Sequence, residues 1–401
     1  MVDRPEPSVA ILSAVRTPIG RFGGALRGLS APALGSLAGR TAIDRSGIPP
    51  EEIEEVLFGQ GIQAGVGQNP ARQVLRGVGI PDSVGAATVN MVCGSGLKAI
   101  LLGFTVIRAQ EFDRVLVGGM ESMSNAPHLL PGSLRWGSRP GPQTLDDAMQ
   151  RDGLMDAYDE HEIMGLTGER VAQHFGLTRA DVDAFALRSN QRAVKAMEDG
   201  TFASEVVPVP PGLTPGGAGL ARDECPRADT TLEALGKLKP SFAPNGILTA
   251  GNSSQLSDGA VALVLASRRE VERHGLRPIA WIHSTAEGGV HPRDVMEAPI
   301  PTVRKHLERT GLKPSDFDRV EHNEAFSSAS IAVQRTFAFT EEQFNVHGGA
   351  VALGHPVGAS GARIVVTLVQ ELVRSRTRLG LATACMGGGN GLSVVVDRSG
   401  L

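Results

Sequence analysis

Four short stretches of the chain carry residue types that can do chemistry. NMVCGSGLKA sets Cys93 just ahead of a Gly-Ser-Gly turn that opens an apolar helix. A thiol attacks only as its thiolate, and an unperturbed cysteine has a pKa of about 8.5, so the surroundings decide whether it reacts. Backbone N–H groups and the positive end of a helix at Cys93 would favour the thiolate, and small neighbours leave room for a long substrate. The competing reading is a small buried residue packed at a tight turn. HGGAVALGHPVGASGAR fixes His355 between Gly354 and Pro356, just before a helix start. A neutral imidazole there can take the proton of a cysteine. A loop hydrogen bond is the alternative role, and His347 is the competing histidine. EHNEAFSS offers Asn323, whose amide can orient water or an oxyanion, and Glu324, a possible general base. Either side chain can instead bond the local backbone of a turn. The spacing of His322, His347 and His355 fits no metal-ligand pattern, so no metal is expected.

The fourth stretch is LATACMGGGNG from Leu381, where Cys385 sits between an apolar strand-like run and a run of glycines. GGGNG after a strand has the outline of a dinucleotide loop. A following helix and an acidic residue about 20 positions on are both missing, so that reading fails. Glycine N–H groups beside a thiol remain, and these suit an oxyanion site.

The elements that must position these residues repeat. SGIPPEEIEEVLFG from Ser46 and TGLKPSDFDRVEHN from Thr310 align without a gap at an offset of 264. Both predict a helix ending at Gly47 or Gly311, a Pro-led acidic turn, then a short strand entering a loop. Downstream, each copy places a Gly/Ser turn before an apolar helix and then a strand with glycines. In the second helix Ile364, Val365, Leu368, Val369 and Leu372 share one face. One α/β half-unit used twice predicts packed layers. A segment of roughly 123–249 separates the halves. It holds two loop-rich stretches, PGSLRWGSRPGPQ and VPVPPGLTPGGAG, and one helical stretch, TRADVDAFALRSNQRAVKAMEDG. Such an insertion is suited to covering a substrate.

Bulk properties bound the rest. With 401 residues, 41% of them hydrophobic, the chain can bury a large core. A net charge of -4 and scattered basic residues give no pull toward nucleic acid or anionic membrane. No apolar run reaches the roughly 18 residues of a membrane span. MVDRPEPSVA carries acid and proline and lacks an apolar signal core, so a cytoplasmic protein is expected. Three cysteines, Cys93, Cys225 and Cys385, make no disulfide framework, and Cys225 falls in a polar loop, RDECPRAD.

The sequence resembles the thiolases, in particular the acetyl-CoA acetyltransferase type. The motifs are NMVCGSGLKAI, GGMESMS, TAGNSSQLSDGA, VEHNEAF, NVHGGAVALGHPVGASGAR and CMGGGNG, in family order from about Val9 to Val396. The resemblance implies a thiolase fold: duplicated α/β half-units in five αβαβα layers with an inserted loop domain. On this chain that gives an N-terminal half at 1–122, completed by about 250–275, a loop domain at 123–249 and a C-terminal half at 276–401. It implies a reversible Claisen condensation of two acetyl-CoA to acetoacetyl-CoA and CoA. Cys93 would be the acyl-accepting nucleophile, His355 its base, and Cys385 the base for the α-proton. Asn323, through a water, and His355 would stabilise the enolate. The N–H groups of Cys93 and Gly387 would hold the tetrahedral oxyanion. Ser254, Met164 and Phe326 would line the acyl pocket, and Arg227 would lie near the nucleotide end of coenzyme A. Coenzyme A would be substrate and product, with no permanently bound cofactor, in a homodimer or homotetramer.

Three departures are visible. Ile163 stands where short-chain biosynthetic members carry His, in a segment one residue longer. VMEAP replaces Met-Gly-x-Gly-Pro, so Met296 or Val295 would take the pocket methionine's place. His347-Gly-Gly replaces Asn-Gly-Gly. The first two alter the acyl-chain wall. A degradative 3-ketoacyl-CoA thiolase for longer or ring-containing chains is therefore the alternative, ahead of an inactive CoA-binding paralogue. Carrier-protein ketosynthases are disfavoured, because they use a Cys-His-His set and lack the second cysteine.

Overall fold

The structure is a computed structural model describing residues 9–137, 140–158 and 161–401. Most of the N-terminal stretch read for a signal core, and Ser138 and Arg139 of PGSLRWGSRPGPQ, lie outside the described residues. The first half contributes β1 (Val9–Arg16), β2 (Gly20–Arg21), α1 (Ala31–Ser46), β3 (Glu55–Gly59), α2 (Pro70–Val78), β4 (Gly85–Val89), α3 (Ser95–Arg108) and β5 (Arg114–Ser122). The next segment carries β6 (His128–Leu129), β7 (Asp146–Asp147), α4 (Met164–His174), α5 (Arg179–Glu198) and α6 (Leu232–Gly236). The chain then returns through β8 (Ser257–Ser267) and α7 (Arg268–His274). The remainder comprises β9 (Ala280–Gly289), α8 (Pro299–Thr310), β10 (Arg319–His322), α9 (Ser327–Phe337), α10 (Ala350–Leu353), α11 (Val357–Ser375), β11 (Leu379–Met386) and β12 (Asn390–Asp397).

Among the described residues the large sheet runs β10-β11-β12-β9-β1-β8-β5-β3-β4, with β2 paired to β8. The two repeats meet at β1 and β9, which pair antiparallel from Val9–Ile282 to Ile11–Ala280. Outward from that seam each half has the same plan: two antiparallel partnerships and then a parallel one, β5 with β3 and β11 with β10. In the place of β4 the second half has a single parallel bridge, Val320 to Phe344. The aligned segments match in detail. Gly47 (φ 77) and Gly311 (φ 70) end α1 and α8 in the left-handed region, and each is followed by a Pro-started turn and a strand.

Side-chain alternation along the strands separates three cores. On β8, Val261, Leu263 and Leu265 face one cluster, while Ala260, Ala262, Val264 and Ala266 face another. The central cluster also takes Leu97 and Ile100 of α3, Val365 and Leu368 of α11, and Ala384 and Met386 of β11. One outer cluster is roofed by α1 and α2; the other holds residues of α4, α8 and α9. Two central helices lie between two half-sheets, with helices outside both, which is the αβαβα order. The one-face reading of α11 holds: Ile364, Val365, Leu368, Val369 and Leu372 all belong to the central cluster, and the rest of the helix from Val357 to Val369 is buried too. Polar positions of the helix are covered as well, with Ser360, Arg363, Thr367 and Glu371 all buried. No helix of the described residues is long and apolar enough to cross a membrane.

Candidate active site

Cys93 lies in the turn Val92–Gly94 between β4 and α3. The turn is strained. Val92 has φ 48, a left-handed conformation that a β-branched residue resists. Side chains hold it: Asn90 Oδ1 accepts from Val92 N at 3.0 Å, Ser95 Oγ accepts from Met91 N at 2.9 Å, and Ser95 Oγ donates to Val92 O at 2.6 Å. His355 sits between α10 and α11. Gly354 takes φ 99 there, and His355 N donates to Gln255 O at 2.8 Å.

The two loops bring His355 Nε2 to 3.2 Å from Cys93 Sγ. On the other side of the ring, Nδ1 lies 2.6 Å from Ser360 Oγ, and that hydroxyl donates to Pro356 O at 3.0 Å. Ser360 must therefore accept from Nδ1–H, which leaves the Nε2 lone pair facing the thiol. Burial pushes the Cys93 thiol up to about 12, against N–H bonds from Gly387 and Cys93 that pull it down. Burial, helped by Arg363, pushes His355 down to about 4. The resting pair is thus neutral thiol and neutral imidazole, contrary to a thiolate pre-formed by the helix end. Desolvation outweighs the two backbone N–H bonds here.

Cys385 ends β11 with Met386, and their side chains point to opposite faces. Burial first, and then neighbouring Cys93, push the Cys385 thiol to about 12. Its Sγ lies 3.8 Å from Met296 Sδ. Met296 therefore stands beside this cysteine, in a core cluster that also holds Val295. Gly388 and Gly389 follow at φ 86 and 80, making the sharp turn into β12 that aims the Gly387 N–H at Cys93. Asn323 follows β10 and is fully buried. Its backbone N donates to Thr383 O at 3.1 Å, and both polar atoms of its side-chain amide make no hydrogen bond with the described residues.

Glu324 is not placed to act as a base. Its carboxylate accepts from Ser189 Oγ at 2.7 Å, Asn345 Nδ2 at 2.8 Å and Val351 N at 3.1 Å, tying α5 and α10 to the turn. The three histidines also diverge: His322 Nδ1 bonds Ser330 and His347 Nε2 bonds Glu371. The polar stretch around Cys225 is a loop as expected, and within it the cysteine is buried, 3% exposed, with Ser257 Oγ 3.7 Å from its sulfur.

A cavity of about 550 Å³ leads to His355, lined by Met164, Ser254, Phe326 and Arg227, with apolar walls from Met123, Met149, Leu154 and Phe242. That volume suits a sizeable small-molecule ligand. Cys93, Cys385, Asn323 and Gly387 do not line it. Met296 lies outside it too, and Ile163 is part of its wall. Sequence reasoning missed Ser360 and the strain at Val92. A serine one turn into the helix after a histidine was the only available signal for the first.

Comparison with known proteins places this arrangement. Residues 9–269 match the family description "Thiolase, N-terminal domain" and residues 276–398 match "Thiolase, C-terminal domain". The acetyl-CoA acetyltransferase of Pseudomonas aeruginosa is 44% identical over 391 residues, covering 97% of this chain and 99% of that protein. An Escherichia coli acetyl-CoA acetyltransferase is 45% identical over 388 residues, covering 97% and 98%. Among solved structures, the Acat5 thiolase of Ascaris suum in complex with coenzyme A has a TM-score of 0.92 at 42% identity, covering 98% of this chain and all of that one. The Bacillus anthracis acetyl-CoA acetyltransferase has a TM-score of 0.94 at 38% identity, covering 97% and 98%. With both halves matched and near-complete relatives of this similarity, the chain belongs to the thiolase family.

Proposed function

We propose that this thiolase is an acetyl-CoA acetyltransferase that condenses two acetyl-CoA to acetoacetyl-CoA and CoA, reversibly, through an acyl-Cys93 intermediate. The observation that carries the reading is the 3.2 Å approach of His355 Nε2 to Cys93 Sγ, with the ring tautomer set by Ser360. In the first half-reaction His355 takes the thiol proton as sulfur attacks the thioester carbonyl. CoA leaves as thiolate and takes the proton of Cys385, which is left ionised while His355 keeps the proton of Cys93. Ionisation is thereby coupled to attack, which suits a thiol as weakly acidic as Cys93. The N–H groups of Cys93 and Gly387, which point at the Cys93 sulfur, would hold the tetrahedral oxyanion.

In the second half-reaction Cys385, once ionised, is a strong base for an α-proton, because its conjugate thiol is pushed to about 12. The enolate oxygen would be met by His355 and, through a water, by the unengaged amide of Asn323. The α-carbon then attacks the acyl carbonyl, the C–C bond forms and Cys93 leaves as thiolate, regaining its proton from His355. Splitting transfer from condensation turns one hard step into two. Ser254, Met164, Phe326 and Arg227 would hold the acyl-pantetheine arm and the nucleotide end in the cavity. Residues 123–249 would act as the loop domain over it. A homodimer or homotetramer in the cytoplasm belongs to the same proposal, and light scattering of the purified protein tests the assembly.

The test is mass spectrometry after acetyl-CoA. Wild type should gain one acetyl group, and Cys93→Ala none. Cys385→Ala should acetylate but not condense. An adduct that survives Cys93→Ala sinks the assignment. A thiolysis panel should favour the C4 substrate; faster turnover of long chains would point to the 3-ketoacyl-CoA alternative.

A further inference from the structure

Glu121 ends β5 inside the protein with no exposed surface. Its Oε2 accepts from three backbone N–H groups: Gly61 at 2.9 Å, Ile62 at 3.2 Å and Gly358 at 2.9 Å. A buried carboxylate is costly unless donors compensate it. Here the donors come from two different loops. Gly61 and Ile62 follow β3, whereas Gly358 lies in the first turn of α11.

Each loop leads to one member of the reacting pair. Gly61 O accepts from Asn90 Nδ2 at 2.8 Å, and Asn90 Oδ1 accepts from the N–H of Val92, next to Cys93. In the first turn of α11, Pro356 O receives the Ser360 hydroxyl that orients His355. The two loops touch closely. A Cβ on Gly61 would come within 2.9 Å of both Glu121 Oε2 and Val357 Cγ1. A Cβ on Gly358 would come within 2.5 Å of Met120 O and 2.7 Å of Gln60 Cα. Glu121 itself lines no part of the 550 Å³ cavity.

We propose that Glu121 is a positioning residue for acyl transfer: by accepting at one oxygen from both loops, it sets the separation of Cys93 Sγ and His355 Nε2. This rests on the acyl-transfer reading above. The role needs a well-placed acceptor more than it needs charge. Gln can present its carbonyl oxygen where Oε2 stands; Asp withdraws it by one methylene; Ala removes it.

The experiment compares single-turnover acetylation of wild type, Glu121→Gln, Glu121→Asp and Glu121→Ala, with KM for acetyl-CoA and folding checked by circular dichroism. Misplacement by about 1 Å can cost roughly 100-fold in rate. Glu121→Ala should lose about that factor with KM changed less than about 3-fold, Glu121→Asp should fall between, and Glu121→Gln should return to within about 5-fold of wild type. If Glu121→Ala does not fold, the Asp and Gln variants decide. Equal rates for those two, a full-rate Ala variant, or a loss confined to KM overturns the inference. Iodoacetamide alkylation of Cys93 in the same proteins gives a readout independent of acetyl-CoA. Wild type that never acetylates refutes the acyl-transfer reading instead, and the ranking of alkylation rates still tests the clamp.

Discussion

Ser360 Oγ stands 2.6 Å from His355 Nδ1 and sends its own proton to Pro356 O, so the hydrogen-bond direction between the two residues is fixed. The imidazole is held in the tautomer whose Nε2 can accept the Cys93 proton. Ser360→Ala frees the ring to adopt the other tautomer or rotate. Acetylation of Cys93 should slow by roughly 10- to 100-fold with little change in KM, in keeping with general-base contributions of 10²–10⁴. Rapid-quench mass spectrometry measures it, and an unchanged rate would show that the loop alone orients the ring.

Thiol ionisation offers a second check. Burial holds Cys93 up at about 12 and His355 down at about 4. Between those values neither group changes its net protonation. Ultraviolet absorbance of wild type minus Cys93→Ala should therefore show no thiolate step from about pH 5 to 9. A step near pH 7 would mean a resting ion pair.

Acid stability should reflect Glu371. Burial pushes this carboxyl up, but hydrogen bonds from His347, Arg319 and Arg374 outweigh it and hold it at about 2, against an ordinary 4.5. The folded pKa is depressed. The stabilisation is therefore complete above about 4.5 and is lost as pH falls from there toward 2. It amounts to about 3 kcal/mol. Urea unfolding should show Glu371→Gln less stable than wild type at pH 7, with the gap roughly halved at pH 3 and closing only toward pH 2. A constant gap would contradict the linkage.

Close helix packing gives a fourth outcome. A Cβ at Gly358 would meet backbone on two sides, Met120 O and Gln60 Cα, and neither can swing away. Gly358→Ala should cost about 1–3 kcal/mol, the usual range for overpacking. Gly236, in α6, has nothing within 4 Å of an added Cβ. Gly236→Ala should change stability by less than about 1 kcal/mol. Chemical denaturation of both separates backbone crowding from loss of glycine itself.

The local sequence carried the repeat because its signals are short-range. Gly47 and Gly311 end helices, Pro50 and Pro314 start turns, and apolar runs form strands wherever both faces are covered. The same logic exposed Cys93, His355, Asn323 and Cys385, since each stands at a junction where an element ends and backbone groups become available. Spacing could not weigh desolvation against a helix end, so the neutral Cys93–His355 pair was invisible. Nor could it tell that Glu324 is consumed by Ser189, Asn345 and Val351, or that Cys225 is buried.

The sequence by itself determined the elements, their duplication and the residues at their ends, because helix caps, turns and strand periodicity depend on neighbours a few positions away. Tertiary structure decided which ends meet. Cys93 and His355 are 262 positions apart, and Glu121 joins loops 60 and 237 positions from it. Such contacts exist only once two half-sheets close on α3 and α11. The thiol, the imidazole and the clamping carboxylate then share one site, where burial rather than sequence context sets their protonation.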